Sequence, residues 1–346
     1  MVNVAVLGYG VVGSGVVEVI EENREVLMRR TGQTFRIKYI LDIRDFPQSP
    51  YADLFIKDFS VIEKDPSVSI VVEAIGGQGV AFELTKRALA AGKTVVTPNK
   101  ELVSAKGVEL FALAAQNNAE YLYEASVGGG IPIIRPLQNC LAANELNEIS
   151  GILNGTTNYI LTQMEQSNTS FTDALMQAQA LGYAEQNPEA DISGKDTCRK
   201  TSILASLALG SYVAPEEIHT VGIEDVTTAD MALAKELGCR IKLLGRVVKG
   251  KNGVYHLGVS PTLVPEDSPL YSVNDVFNAL IVKGSASGEL MFRGRGAGKL
   301  PTASAVVADV IDAARQTSPR PWFSWSERAE NVPVADVRDL PHAYMI

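Results

Sequence analysis

The stretch that most restricts the fold is VAVLGYGVVGSGVVEVI, which lies at the start of the chain. Val2 to Leu7 is a short apolar run rich in β-branched residues, as a buried parallel strand requires, and Val11 to Arg30 has the length and periodicity of a helix. Between them stands Gly8-Tyr9-Gly10-Val11-Val12-Gly13. In a strand, turn and helix of this kind the first glycine permits the tight turn, the second lets the backbone approach a pyrophosphate, and the third allows close helix packing. The free N–H groups of the helix start then face the anion. Gly8, Gly10, Val11, Val12 and Gly13 are therefore candidate dinucleotide contacts, weighed against a plain glycine-rich βα turn.

The segments that follow keep the same alternation. Strands are expected at Phe35–Leu41, Ser69–Ile75, Thr94–Thr97 and Tyr121–Glu124, with helices near Ala81–Ala91 and Val108–Asn117. Alternating strands and helices imply a parallel sheet. The second strand ends at Asp42, where an acid can receive a ribose hydroxyl and so favour NAD, and Arg44 follows, whose guanidinium can receive the 2′-phosphate of NADP. The pair leaves the choice between NAD and NADP open. Beyond about residue 130 the order changes. Strands at Glu145–Leu153, Arg240–Val248, Val254–Val259 and Glu289–Phe292, with helices in no regular alternation, suggest an α+β substrate domain. The expected fold class is α/β: a Rossmann-type dinucleotide-binding domain over 1–130, a second α+β domain over 131–300, a helix over 301–318 returning to the first domain, and a tail over 319–346.

Composition removes several function classes. The 346 residues can hold two cores, and 46% hydrophobic with 21% charged residues is ordinary for a globular enzyme. With 31 basic against 40 acidic residues the net charge is −9, and no basic stripe interrupted by aromatics is present, so a small metabolite is a better partner than nucleic acid. No apolar run reaches membrane-spanning length. Cys140, Cys198 and Cys239 lie far apart without C-x-x-C spacing, which speaks against disulfides or a cysteine zinc site and for a reducing cytoplasm. His219, His256 and His342 lack metal-ligand spacing, and no G-x-S-x-G or H-E-x-x-H occurs.

Chemistry then falls to lysines and carboxylates. VVTPNKELVS puts Lys100 just past a strand end, at the edge where open α/β sheets bind ligands; the plainer account is a solvated lysine at a helix start. In LGYAEQNPEADISGKDTCRK, Glu185, Glu189, Asp191 and Asp196 crowd one loop, and Asp196 and Lys200 share a helix face. These residues make either a solvated acidic loop with an ion pair of about 0.3–0.5 kcal/mol, or a pocket whose carboxylates bind an ammonium while the lysine exchanges a proton with an alcohol oxygen. YEASVGGGIPIIRPL is a domain hinge or, with Glu124 and its turn carbonyls, a site for a hard cation. Cys140 in LQNCLAAN is the nucleophile of an acylating semialdehyde dehydrogenase or a structural cysteine on the apolar side of a helix with Ile133, Ile134, Leu137 and Leu141. A dinucleotide-sensing protein without catalysis is the rival from another class.

Taken in order, GYGVVG, VVTPNK, EASVGGGIPII, GILNGTTNYI, GYAEQNPEADISGKDTCRK and GRGAGKLPTASAVVADV resemble homoserine dehydrogenase, from Val4 to about Arg315. The resemblance implies reduction of aspartate 4-semialdehyde to homoserine with NADH or NADPH, on the route to threonine, methionine and isoleucine. By position, Lys100 and Lys200 resemble the two lysines flanking the reacting oxygen, with Asp196 orienting Lys200. Glu185 and Asp191 resemble the residues holding the substrate's amino end, with Tyr183, Gly155 and Thr156 closing the pocket. Thr97 and Gly298 fall on the cofactor side. Glu124, with the carbonyls of Val127, Gly129 and Ile131, resembles a sodium or potassium site. Family members also resemble one another in pairing their second-domain sheets, so a homodimer or homotetramer is implied. Longer relatives carry an ACT regulatory domain, whose first strand DLPHAYMI faintly resembles. Threonine is accordingly expected to inhibit weakly, by competing in the acidic pocket of Glu185 and Asp191.

Overall fold

The computed structural model describes residues 1–315, 325–327 and 332–341. His342 and the end of DLPHAYMI lie outside the described residues, as does the part of the expected 301–318 helix beyond Arg315. The chain forms two compact units, one of Met1–Ile134 with Ala297–Trp325 and one of Arg135–Gly296 with Ser326–Ile346.

In the first unit, β1 (Val2–Leu7), α1 (Val11–Glu22), α2 (Arg24–Thr31), β2 (Phe35–Leu41), β3 (Phe55–Ile56), α3 (Ser60–Lys64), β4 (Val68–Glu73), α4 (Gly79–Ala90), β5 (Thr94–Val96), α5 (Lys100–Gln116) and β6 (Tyr121–Leu122) follow in turn. The strands form one sheet in the order β3-β2-β1-β4-β5-β6. Every pairing is parallel. The order reverses beside β1, so ligands belong at the carboxyl ends of these strands. The helix expected over Val11–Arg30 is two helices, because the Asn23 side chain donates to the Val19 carbonyl while its own carbonyl starts α2. α5 starts eight residues earlier than the expected Val108. Asn99 caps it through Leu102 N–H, and the helical Gly107 is accommodated because the Trp325 ring fills the space where a side chain would stand.

The second unit contains β7 (Leu146–Ile152), α6 (Gly155–Ser167), α7 (Phe171–Ala180), α8 (Glu189–Ile192), α9 (Lys195–Leu209), β8 (His219–Thr220), α10 (Thr228–Glu236), β9 (Cys239–Lys249), β10 (Tyr255–Pro265), β11 (Phe277–Gly284) and β12 (Gly288–Arg295). The chain then supplies α11 (Lys299–Arg315) to the first unit and β13 (Val334–Asp336) to the second. The sheet order is β12-β11-β7-β9-β10-β13, with β8 also paired to β10. Strand β11 has no counterpart in the sequence reading: it lies between two neighbours and is buried along most of its length, so it lacks the alternation that marks a half-exposed strand. Strands β9 to β12 also succeed one another without an intervening helix. The segment expected as a tail contributes β13, parallel to β10. Helix α11 packs on α1 in the first unit: a Cβ at Gly15 would lie 3.1 Å from the Ala303 Cβ. Among the described residues no helix is long and apolar enough to cross a membrane.

Candidate active site

In the first unit the candidate cofactor residues are shaped by backbone. Gly8 has φ +89°, and a Cβ there would lie 2.7 Å from the Ala74 carbonyl oxygen at the end of β4. A Cβ at Gly13 would overlap the Gly8 carbonyl oxygen, whereas one at Gly10 would meet open space. Gly10 is the N-cap of α1 without a side-chain cap, so the first amides of that helix receive no side-chain acceptor there. These features fit a pyrophosphate: two glycines close the turn against backbone, and the third leaves room beside the helix start. Val11 is exposed at this terminus and Val12 is partly buried against the core.

Asp42 follows directly on β2, with both carboxylate oxygens already engaged. Oδ2 accepts from Tyr9 N–H (2.7 Å) and Arg44 Nη2 (2.9 Å), and Oδ1 accepts from Arg44 N–H (2.9 Å) and Nε (3.0 Å). The Arg44 guanidinium holds the Asp42 carboxyl far below the usual carboxylate range. Four accepted bonds fill the lone-pair positions of a carboxylate. Arg44 itself is 58% exposed at the side chain and stacks on Phe46, its guanidinium carbon 5.1 Å from the ring centre.

Thr97 is fully buried and faces protein: its hydroxyl donates to Glu73 Oε2 (2.6 Å) and accepts from Asn99 N–H (2.9 Å). Glu73, which sequence reasoning missed, also accepts from Ile75 and Gly76 N–H through Oε1 and so shapes the turn after β4. Lys100 is the first residue of α5, partly buried at the carboxyl edge of the sheet. Gly298 (φ +126°) opens the turn into α11. The buried Glu124 accepts from Ile133 N–H (2.6 Å) and Ile134 N–H (3.0 Å) through Oε1, and its own N–H donates to Asp309 on α11. Val127, Gly129 and Ile131 are buried around the turn formed by Gly128 and Gly129, both at positive φ, and Ser126 Oγ is buried with no hydrogen-bond partner among the described residues.

In the second unit the candidate substrate and proton-transfer residues are held by side chains. Lys200 Nζ donates to Asp196 Oδ2 (2.6 Å) and to the Leu153 carbonyl (2.7 Å). Lys200 is 7% and Asp196 4% exposed, so the solvated helix pair weighed above is in fact a buried one. Two charges withdrawn from water are a poor source of stability. Asn154, absent from the candidates, joins the cluster: its Nδ2 donates to Asp191 Oδ1 (2.7 Å) and Asp196 Oδ2 (2.9 Å), while its Oδ1 caps α6 by accepting from Thr157 N–H. Its signal was an Asn placed before Gly-Thr-Thr at a strand end, a usual N-cap choice. The buried Thr156 hydroxyl donates to the Tyr183 carbonyl (2.6 Å), and the Tyr183 ring lies 5.1 Å from that of Tyr159. Glu185 is exposed and stands outside this hydrogen-bonded cluster; its backbone carbonyl accepts from Gln179. Asn278, 1% exposed on β11, is buried with neither side-chain polar atom hydrogen-bonded among the described residues, and a Cβ on Gly155 would lie 3.6 Å from its Oδ1.

Cys140 is exposed, against the expectation of a buried apolar helix face. Pro136–Cys140 is a π turn closed by Leu141 N–H to the Pro136 carbonyl, and its wider winding keeps Leu137 and Leu141 inside while the cysteine turns outward.

A family model described as homoserine dehydrogenase matches residues 132–311, and one described as the homoserine dehydrogenase NAD binding domain matches residues 8–124. A homoserine dehydrogenase of Neisseria gonorrhoeae is 43% identical over 316 residues, covering 91% of this chain and 72% of that protein. The chain belongs to the homoserine dehydrogenase family. Its fold is similar to a crystal structure of a homoserine dehydrogenase from Thiobacillus denitrificans (TM-score 0.90, 38% identity, 98% of this chain and 80% of that one). A hyperthermophilic archaeal homoserine dehydrogenase in complex with NADPH is also similar (TM-score 0.78, 29% identity, 92% of this chain and 99% of that one). As a homoserine dehydrogenase, the protein is an NAD(P)-dependent oxidoreductase of amino-acid biosynthesis.

Proposed function

We propose that Lys200 is the proton-transfer residue of the reaction between aspartate 4-semialdehyde and homoserine. The observation that carries this is a buried lysine held by Asp196 and the Leu153 carbonyl, with Asp196 in turn held by Asn154. When bound, the nicotinamide supplies hydride to the aldehyde carbon or takes it from the alcohol carbon. Lys200 Nζ gives a proton to the developing alkoxide in reduction and takes it back in oxidation, Asp196 fixing the amine's direction. Lys100 is assigned a part in the same step by the family resemblance and its place at the sheet edge.

Asp191 and Glu185 receive the substrate ammonium, with Gly155, Thr156 and Tyr183 closing around it. The orphaned amide of Asn278 beside Gly155 is the buried polar group that a bound amino acid would satisfy. Gly8, Gly10, Val11, Val12, Gly13 and Gly298 hold the cofactor, with Thr97 bracing the loop. NADP is preferred over NAD, because Asp42 has no acceptor position left for a ribose hydroxyl while Arg44 presents an exposed guanidinium. Sodium or potassium binds at Glu124 and the carbonyls of Val127, Gly129 and Ile131, a reading supported by the partnerless Ser126 hydroxyl; thermal stability should then rise with either ion relative to choline. The three unpaired cysteines support a cytoplasmic location. The family resemblance supports a homodimer or homotetramer, which light scattering would resolve.

The deciding experiment is Lys200→Met. Homoserine oxidation should slow by about 100-fold or more with cofactor affinity nearly unchanged. An unaltered rate would return Lys200 to a structural role.

A further inference from the structure

Lys242, in the middle of β9, is 1% exposed and has no place in the reaction described so far. A lysine there is a poor choice for stability, since an apolar residue of similar volume would avoid the cost of burying a charge. Its three donors are all used: Nζ donates to the Val273 carbonyl (2.7 Å), to Asn158 Oδ1 (3.1 Å) and to Asn274 Oδ1 (3.1 Å). Asn158 belongs to α6, and Val273 and Asn274 belong to the loop before β11.

The same two elements are tied together at further points. Asn158 Nδ2 lies 3.2, 2.9 and 3.1 Å from the carbonyl oxygens of Val273, Asp275 and Phe277. Thr162 on α6 accepts from Asp275 N–H, and Asp275 is held at φ +56°, a conformation that non-glycine residues adopt rarely. Arg240, two residues before Lys242, reaches the Tyr271 carbonyl and pairs with Glu165 of α6. The consequence appears at the start of α6. The Val276 carbonyl of this loop abuts Gly155 so closely that a Cβ there would lie 2.9 Å from it. One turn before Asn158 on the same helix is Asn154, which holds Asp191 and Asp196.

We infer that Lys242 is a positioning residue for the amino-acid substrate: by tying loop 273–277 to Asn158 it fixes the first turn of α6, and with it Gly155, Thr156 and the Asn154 side chain that orients Asp191 and Asp196. This rests on the assignment of Gly155 and Thr156 to the substrate pocket. Without the ammonium, the Val273 carbonyl and the Asn158 and Asn274 side-chain oxygens lose their shared donor and α6 can shift along the sheet by a few tenths of an ångström, enough to spoil several polar contacts at once.

The test is Lys242→Met, which keeps the volume and removes the charge. The homoserine KM should rise about tenfold or more, kcat at saturation should fall less than about threefold, and the cofactor KM should stay within about twofold of the parent. Asn158→Ala should show the same split from the helix side if Lys242→Met fails to fold, and the double variant should be no worse than the poorer single one. A homoserine KM unchanged in Lys242→Met or, should that variant not fold, in Asn158→Ala would overturn the inference, as would additive effects in the double variant. Thr156→Val separates this from failure of the pocket assignment. If it leaves the homoserine KM unmoved, the pocket assignment fails and the inference with it; if it raises KM while Lys242→Met does not, only the role of Lys242 is lost.

Discussion

The two units meet the same demand, recognition of a small polar molecule, by opposite means. The candidate cofactor site of the first unit uses missing side chains: Gly8 and Gly13 stand where backbone approaches too closely for a Cβ, and Gly10 leaves open space at the start of α1. The candidate substrate site of the second unit uses side chains that hold one another, Asn154 to the partly buried Asp191 and to Asp196, and Asp196 to Lys200, with Asn154, Asp196 and Lys200 drawn out of water. A cradle of amides suits a pyrophosphate, which every dinucleotide carries alike, whereas a network of buried charges suits one amino acid and one reacting oxygen. The first kind of site should be fragile to added atoms and the second to removed ones.

Glycine substitution gives the largest contrast. Gly13→Ala places a Cβ on the Gly8 carbonyl oxygen, backbone that cannot turn aside, so cofactor affinity should fall about 100-fold or more. Gly10→Ala meets nothing within 4 Å, so any loss it causes should measure the cofactor's own approach. Cofactor titration by nicotinamide fluorescence would separate the two, and equal losses would break the contrast.

Asn154→Ala attacks the other half by removal. It deletes the cap of α6 and the donor shared by Asp191 and Asp196. We expect kcat/KM for homoserine to drop about 10- to 100-fold, with about 1–2 kcal/mol lost in urea unfolding and cofactor affinity preserved. Weakened cofactor binding would mean that the two sites cannot be separated in this way. A smaller effect is expected at Arg44, whose replacement by Ala should raise the KM for NADP about tenfold while leaving NAD within about twofold. Equal loss for both cofactors would show that Arg44 serves only to hold Asp42.

The most gradual effect is in pH dependence and belongs to the second unit. Burial pulls the pKa of Lys242 down from 10.5 to about 8, with the Glu165 and Asp275 charges opposing the shift and Arg240 adding to it. Between these values the folded protein has released a proton that the unfolded chain keeps. Stability therefore rises with pH across that window, by at most about 1.4 kcal/mol per pH unit, because the cost of burying the charge, present in full below the window, is relieved as the proton leaves. Urea unfolding at several pH values, compared with Lys242→Met, should show this slope in the parent alone; parallel curves would remove Lys242 as its source.

Legibility in the sequence followed the range of the interactions. Strands Val2–Leu7 and Phe35–Leu41 were readable to the residue because a run of β-branched apolar residues between turn signals is a local property. The Asp196 and Lys200 pair was readable as neighbours on a helix, but its burial was not, since spacing shows which residues share a face and not what covers that face. Cys140 was misread because an α-helical spacing was assumed where the chain makes a π turn. Asn154, Glu73 and Lys242 escaped notice for one reason: an amide, an acid or a lysine inside ordinary strand and helix patterns gains its meaning only from distant partners.

The order of motifs along the chain, GYGVVG first and GYAEQNPEADISGKDTCRK later, was by itself enough to determine the family and the presence of a dinucleotide cradle, because glycine spacing after a strand directly states where backbone must come close. Tertiary structure alone decided that Asp42 is spent on Tyr9 and Arg44, that Asn154 holds both Asp191 and Asp196, and that a buried lysine 84 residues from Asn158 donates to its side chain. A donor and its acceptor leave no mark on the residues between them, so such bonds exist only once the sheet and helices have brought the two ends together.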